Sequence, residues 1–294
     1  MNNKKDSLSP AARPEFTRDI LDASRAGEIK QPLTLWERIS NIKALRKLFI
    51  LFILALLWQA YAARVDNTLM FPSFTSTVTA FWDALIHGGL LSRVGVSIKV
   101  LLLGYAAGIV VAAILTTLAI STRFGSDLLE TLTAMFNPLP AIALLPLALL
   151  WFGLGIKSMV FVLVHAVLWP LSLNTHSGFT GVSQTLRMVG RNYGLTGLRY
   201  VFRILIPAAF PSILTGLKVA WAFAWRTLIA AELVFGVSSG SGGLGWFIYE
   251  NKNELEIAYV FAGLLTVIII GIGVENIIFR AIEVRTVRKW GMQL

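Results

Sequence analysis

The sequence predicts an all-α membrane protein with six transmembrane helices, N-in and C-in. Three observations predict this. The 294 residues are 56% hydrophobic and 14% charged, with a mean hydropathy of +0.70, whereas soluble domains run at about 45–50% and about 25%. Four runs of 18 or more residues carry no charge: 100–120, 131–156, 158–175 and 257–274. Each approaches or exceeds the roughly 20 residues that cross a bilayer core as helix. The basic residues are also sorted. With the N-terminus inside, 19 of the 26 Lys+Arg fall on inner segments and five on outer ones, as the positive-inside rule requires.

Composition also excludes several chemistries. Cysteine is absent, which removes disulfides, thiolate metal sites and Cys nucleophiles. The three histidines, His87, His165 and His176, have no ligand spacing. The net charge of +10 follows membrane topology, so no nucleic-acid partner is expected.

The elements follow in order. Residues 1–47 hold ten Lys/Arg and six Asp/Glu and read as a cytosolic tail, disordered to about Lys30. Leu35, Ile39, Ile42 and Leu45 recur at helical spacing among Arg38, Lys43, Arg46 and Lys47, which fits an interfacial helix on anionic lipid and equally a solvated leader. The first span is Leu48–Ala63, lengthened by snorkelling of Arg64. Ala60-Tyr61-Ala62 mimics a signal-peptide cleavage site, but a leader of 47 residues is too long for an n-region. Val78, Phe81, Trp82 and Leu85 place an amphipathic helix over 76–87 at the outer interface.

Val100–Ile120 is the second span and Thr131–Ile156 the third. The third is irregular, because Pro138, Pro140 and Pro146 interrupt it and Gly153 and Gly155 follow. Proline frees a backbone carbonyl, and freed carbonyls at membrane depth belong inside protein or beside water. This stretch is therefore expected to line a pathway; the competing reading is a kinked packing helix. Ser158–Thr175 is the fourth span, Ile213–Val237 the fifth and Ile257–Val274 the sixth. The fifth carries Lys218, Arg226 and Glu232. Arg226, Glu232 and the later Glu275 read either as pathway groups or as interhelical pairs. Arg226 and Glu232 are six residues apart and share no helix face, so each is expected to find a partner on another helix.

Gly240-Ser241-Gly242-Gly243-Leu244-Gly245 matches a dinucleotide fingerprint. It lies between two spans and outside any βαβ unit, so a flexible or re-entrant turn is expected. No P-loop motif occurs. The inner connector 176–212 is the most organised stretch outside the spans. Ser183 caps a helix to about Tyr193, Gly194 stops it, and a second short helix, Leu198–Ile206, is expected to end at Pro207. The domain organisation is thus a tail 1–47, a six-span domain 48–285 and a cytosolic tail 286–294.

This connector resembles the "EAA" loop of ATP-binding-cassette (ABC) importer permeases, in which Glu-Ala-Ala, three residues, Gly and nine residues precede Ile-x-Leu-Pro. The matching positions here are Met188-Val189-Gly190, Gly194 and Ile204-Leu205-Ile206-Pro207. Met188 stands in place of the usual Glu, Gly190 in place of the second Ala, and Ile206 in place of Leu. Other segments are similar to the nitrate/sulfonate/taurine branch of that family. They are Phe71-Pro72-Ser73, Pro138-x-Pro140 with Ala143–Leu147, Trp151-Phe152-Gly153-x-Gly155, Arg191–Leu195, Trp225 with Leu228–Glu232, and Ser241–Trp246.

The resemblance implies a type I ABC importer fold in a bacterial inner membrane. It also implies a second permease copy, cytosolic ABC ATPase subunits that hold ATP-Mg, and a periplasmic or lipid-anchored substrate-binding protein. No cofactor belongs to this chain, and it is not itself an enzyme. Arg187, Met188, Gly190, Arg191, Gly194, Leu195, Ile206 and Pro207 would couple to the ATPase, while Pro138, Pro140, Pro146, Arg226 and Glu232 would line the pathway. A secondary carrier and a membrane-embedded enzyme or scaffold are the alternatives. The first calls for an internal repeat and the second for a cluster of titratable groups.

Overall fold

The computed structural model of the chain describes residues 42–235 and 242–292. The expected disordered tail and most of the interfacial helix, like Gly240 and Ser241 of the glycine motif, lie outside them. The described residues form helices and connecting turns, without a strand. The chain divides into two compact units, 1–54 and 55–294, and helix α1 (Lys43–Val65) runs through the boundary. In the first unit the apolar side chains from Leu48 to Leu54 are exposed.

The second unit begins with the rest of α1. Trp58 there donates from Nε1 to the Pro72 carbonyl at 2.9 Å and meets Phe71, Phe74 and Phe261 in aromatic contacts. Next come α2 (Phe74–Ile86), α3 (Leu90–Ala119), α4 (Arg123–Phe136), α5 (Leu145–Phe152) and α6 (Ile156–Thr180). They are followed by α7 (Gln184–Asn192), α8 (Gly197–Tyr200), α9 (Ile206–Phe235), α10 (Leu244–Asn253), α11 (Ile257–Gly273) and α12 (Arg280–Glu283). Side-chain oxygens open three of these helices. Ser73 accepts from Ser76 N–H, Thr122 from Gly125 N–H and Ser183 from Leu186 N–H, each satisfying a donor the helix cannot.

Helix α6 is the centre of the unit. Of its apolar stretch 56% is buried, twice the share in α3 or in the α9 stretch, and it packs along both of those helices. Small residues make the approach close. Gly104 and Gly108 of α3 face Leu163 and Val167 of α6, and a Cβ on either glycine would come within 2.6 Å of those side chains. Ala112 and Thr116 continue the four-residue stripe, both buried. On the other side Gly178 of α6 faces Ser212 of α9, and Gly216 of α9 faces Asn174 of α6. Lipid tails supply no hydrophobic drive between helices, so contact area gained through small residues has to supply the association.

The amphipathic helix expected at 76–87 is α2, but its buried residues are Thr77, Ala80 and Ala84, while Trp82 is exposed. That small-residue face packs on α11. Tyr259 Oη donates to Asp83 Oδ2 at 2.6 Å across the contact, which, with a smaller contribution from His87, holds the Asp83 carboxyl below its ordinary range.

Five described helical stretches are long and apolar enough to cross a membrane. They exceed the expected spans. The second begins at Leu90, so Arg93 and Lys99 belong to the helix, and the last runs through π-helical turns to Arg288. The expected third span, Thr131–Ile156, is not one helix. It breaks after Phe136, and α4 makes an 87° angle with the segment Ala141–Phe152. Pro138 and Pro140 cause the break. Pro146 causes none, because it falls in the first turn of α5, where no N–H partner is needed.

Pro207 corrects a second expectation. It does not end a short helix: the helical stretch runs from Gly197 to Val234. Residues Val201–Leu205 form a π-helical turn in which Ile206 N–H bonds the Val201 carbonyl, five residues back. Widening the helix just ahead of a proline removes the clash that would otherwise kink it.

Replacing Gly108 with Leu should therefore destabilise the bundle by about 1–3 kcal/mol through overpacking, read as a lowered midpoint of thermal unfolding in detergent. Leu at exposed Gly95, where an added Cβ would meet nothing within 4 Å, should leave the midpoint nearly unchanged.

Candidate functional site

The first half of the 176–212 connector folds as its sequence directs, and only its second half departs, at Pro207. Helix α7 starts at Ser183 and closes with two reverse hydrogen bonds. Gly194 N–H reaches Arg191 O at 2.9 Å, and Leu195 N–H reaches Gly190 O at 3.0 Å. This double closure needs a left-handed residue, and Gly194 has φ +67°. Gly190 is buried where α7 crosses the next helical stretch, and a Cβ there would lie 2.9 Å from the Tyr200 ring and 3.1 Å from Ile204. Leu205 and Val201, with Phe179, Val182 and Ala209, form a small core, and half-buried Ile206 packs on it. Pro207 is half-buried beside them.

Arg187 is committed within the chain. Its guanidinium donates to the carbonyls of Phe179 (2.6 Å), Thr180 (3.2 Å) and Val182 (3.0 Å), tying α7 to the C-terminal end of α6, where a cation also complements the helix dipole. What remains outward is apolar and basic. Leu186, Met188, Val189, Tyr193, Leu198 and Phe202 are exposed, and so are Arg191, Arg199 and Arg203.

The break between α4 and α5 opens a cavity of about 390 Å³. Pro138, Pro140 and Arg226 are in its wall. Asn137, His165, Trp169, Phe223 and Thr227 line it too and were not anticipated. Their spacing carried a signal: His165 and Trp169 are four apart on α6, and Phe223, Arg226, Thr227 and Ala230 form one face of α9. Pro146 and Glu232 are not in its wall. Arg226 does not find the expected partner on another helix among the described residues. Its Nε donates to Ala222 O at 3.0 Å, and its Cζ lies 5.0 Å from the centre of the Phe223 ring, both on its own helix. Arg226 also lines a smaller cavity of about 210 Å³ with Lys218 and Glu275. Lys218 is paired instead with Glu283 at 2.8 Å.

Glu232 is 2% exposed and is held at the start of α10. Ser97 Oγ of α3 lies 2.8 Å from both carboxylate oxygens and donates to them. Gly245 N–H donates to Oε2 at 2.8 Å, and Leu244 N–H donates to Ser97 Oγ at 2.7 Å. The first free N–H groups of a helix seek an acceptor, and here the acceptor is the Glu232 carboxyl of α9. Gly243 is required by close approach, since a Cβ there would overlap Glu232 Oε1 and Ser97 Oγ. Arg93 closes the same seam with Gly242 O (3.3 Å) and with Glu250 Oε2 (3.0 Å).

Ser97→Ala leaves the Leu244 N–H and part of the carboxylate without partners. It should cost about 1–3 kcal/mol, and Gly243→Ala should cost at least as much; both are read from thermal unfolding of the purified chain. Wild-type midpoints in both variants would show that the seam contributes nothing.

Known proteins share this arrangement of sequence. Residues 104–288 match the family model described as binding-protein-dependent transport system inner membrane component. A putative ABC transporter permease protein of Methanocaldococcus jannaschii is 30% identical, over 81% of this chain and 90% of the relative. A putative aliphatic sulfonates transport permease protein of Escherichia coli is 30% identical, over 70% and 76%. A nitrate import permease protein of Synechocystis is 29% identical, over 85% and 90%. With its apolar helices, the chain is a multi-pass membrane protein, and it belongs to the binding-protein-dependent transport system inner membrane components, the permeases of ABC transporters.

Proposed function

We propose that this chain is the pathway-forming subunit of an ABC importer for a small anionic or zwitterionic solute, of the sulfonate, nitrate, taurine or organic carboxylate kind. It works by alternating access in a bacterial cytoplasmic membrane. Five continuous spans and the bent α4–α5 pair make six crossings, with both termini on the cytosolic side. The solute class is supported by the names of relatives, which include permeases for aliphatic sulfonates, nitrate and taurine.

The observation that carries the reading is the α7 connector. A short helix capped at both ends presents exposed Met188, Tyr193, Leu198 and Phe202 beside Arg191, Arg199 and Arg203. An apolar patch rimmed by charge fits a protein partner, here a cytosolic ATPase that binds ATP and Mg²⁺. Arg187 ties α7 to the end of α6, and Gly190 seats it on Tyr200 and Ile204, in the helical stretch that leads into α9, so force applied to α7 reaches both. Met188, exposed where related loops carry Glu, makes that contact apolar. A second copy of the chain completes the pathway, and a substrate-binding protein delivers the solute from outside. ATP hydrolysis belongs to the ATPase subunit.

Met188→Asp and Leu198→Asp place acids on this face without touching the core. The double variant should insert normally, yet retain less than about a tenth of the co-purifying ATPase, as loss of central apolar contacts in an interface does. Solute uptake should fall in step. Wild-type ATPase retention and uptake would contradict the docking assignment.

A further inference from the structure

We propose that Arg226 and Glu275 form an ion pair across the seam between α9 and the last helical stretch, Ile257–Arg288, in a conformation other than the one described. The inference rests on the importer reading for the force that drives the closure, and adds to it a latch inside the membrane part.

The seam already holds one such pair. Lys218 Nζ of α9 donates to Glu283 Oε2 of α12 at 2.8 Å. The two stretches run in opposite directions here. Trp225, further along α9, donates from Nε1 to the Val267 carbonyl, which lies well before Glu283 in its own stretch, at 3.3 Å. Arg226 comes eight residues after Lys218, and Glu275 comes eight residues before Glu283. The antiparallel stretches therefore carry a second cation and a second acid in matching register, about two helical turns from the pair that is made.

This second rung is open. Arg226 and Glu275 line one cavity of about 210 Å³ between the two stretches. Both are exposed, and among the described residues neither enters an ion pair. Arg226 uses only Nε, on Ala222 O. Lys218 is in the same wall, but its ammonium is committed to Glu283. One cation and one acid are left facing a shared space. Charged groups within spans are costly when apart and characteristically pair with each other.

The wall leaves room to close. Ala222 of α9 and Gly271 of α11 are in it, and a Cβ added at Gly271 would meet nothing nearer than Trp225 Nε1 at 3.8 Å. Glu275 stands in the π-helical turn Val274–Phe279. Such turns interrupt the regular helix, frequently at functional sites, and return of this one to α-helix would rotate Glu275 about the helix axis. The cavity is small enough for two long side chains to bridge.

The test uses the full chain with its ATPase subunit in lipid nanodiscs. The chain has no cysteine, so Ala222→Cys puts a single thiol in the cavity wall. Its alkylation by N-ethylmaleimide, read from the mass of this chain, is compared without nucleotide and after trapping with ATP and vanadate. Alkylation should be slower in one of the two states by about threefold or more, a change at the low end for coupled side chains. That difference should disappear in Glu275→Gln and in Arg226→Gln. It should survive in Arg226→Lys, and in the exchange of both charges, Arg226→Glu with Glu275→Arg. A difference that persists in Glu275→Gln would overturn the proposal. So would an exchange variant that behaves like Glu275→Gln, or equal rates in both states of a chain that keeps Arg226, Glu275 and its ATPase. A chain that retains no ATPase at all would sink the importer reading, and the latch would lose its drive with it.

Discussion

Helix α6 can serve as the centre of the larger unit only because its neighbours lack side chains where they cross it. Gly104 and Gly108 on one side, and Gly178 against Ser212 with Gly216 against Asn174 on the other, bring backbones to distances that a methyl group would forbid. In lipid, that closeness is the main source of association. The functional features hang from it. The cavity wall uses His165 and Trp169 of α6 and Arg226 of α9, and the α7 connector is clamped to the end of α6 by Arg187. A shift of α6 would move both together.

The other constraint is the cost of polar groups away from water. The chain meets it in two ways. Glu232 is fully occupied by Ser97 and Gly245, and so acts as a fastener between α3, α9 and α10. Arg226 has no such set of partners among the described residues and lies at a cavity. Two charged residues six positions apart on one helix therefore stand differently, one fastened in the seam and the other at a cavity wall.

Much of this was legible in sequence. The apolar runs located the long helices, the prolines at 138 and 140 announced the break, and Ser183 and Gly194 marked both ends of α7. Local chemistry decides each of these, so local sequence reveals it. Span ends were less legible, because Arg93, Lys99 and Arg203 lie within helices and charge alone does not stop a helix. Pro207 misled for a related reason: a π-helical turn absorbed it, and no rule of spacing announces that turn. Ser97 as the partner of Glu232, and the placing of His165, Trp169 and Arg226 around one cavity, depend on packing between residues more than 50 apart in sequence. Those follow from which helix faces pack together, and residue spacing along one helix does not contain that information.

The central claim is that the bundle moves solute only when an ATPase drives it through the α7 connector. The most direct measurement is accumulation of a labelled small sulfonate or nitrate in proteoliposomes holding this chain, its ATPase subunit and its binding protein. Accumulation should require ATP and all three components, and should vanish when the ATPase is left out. Accumulation without the ATPase, driven by an ion gradient, would contradict the account.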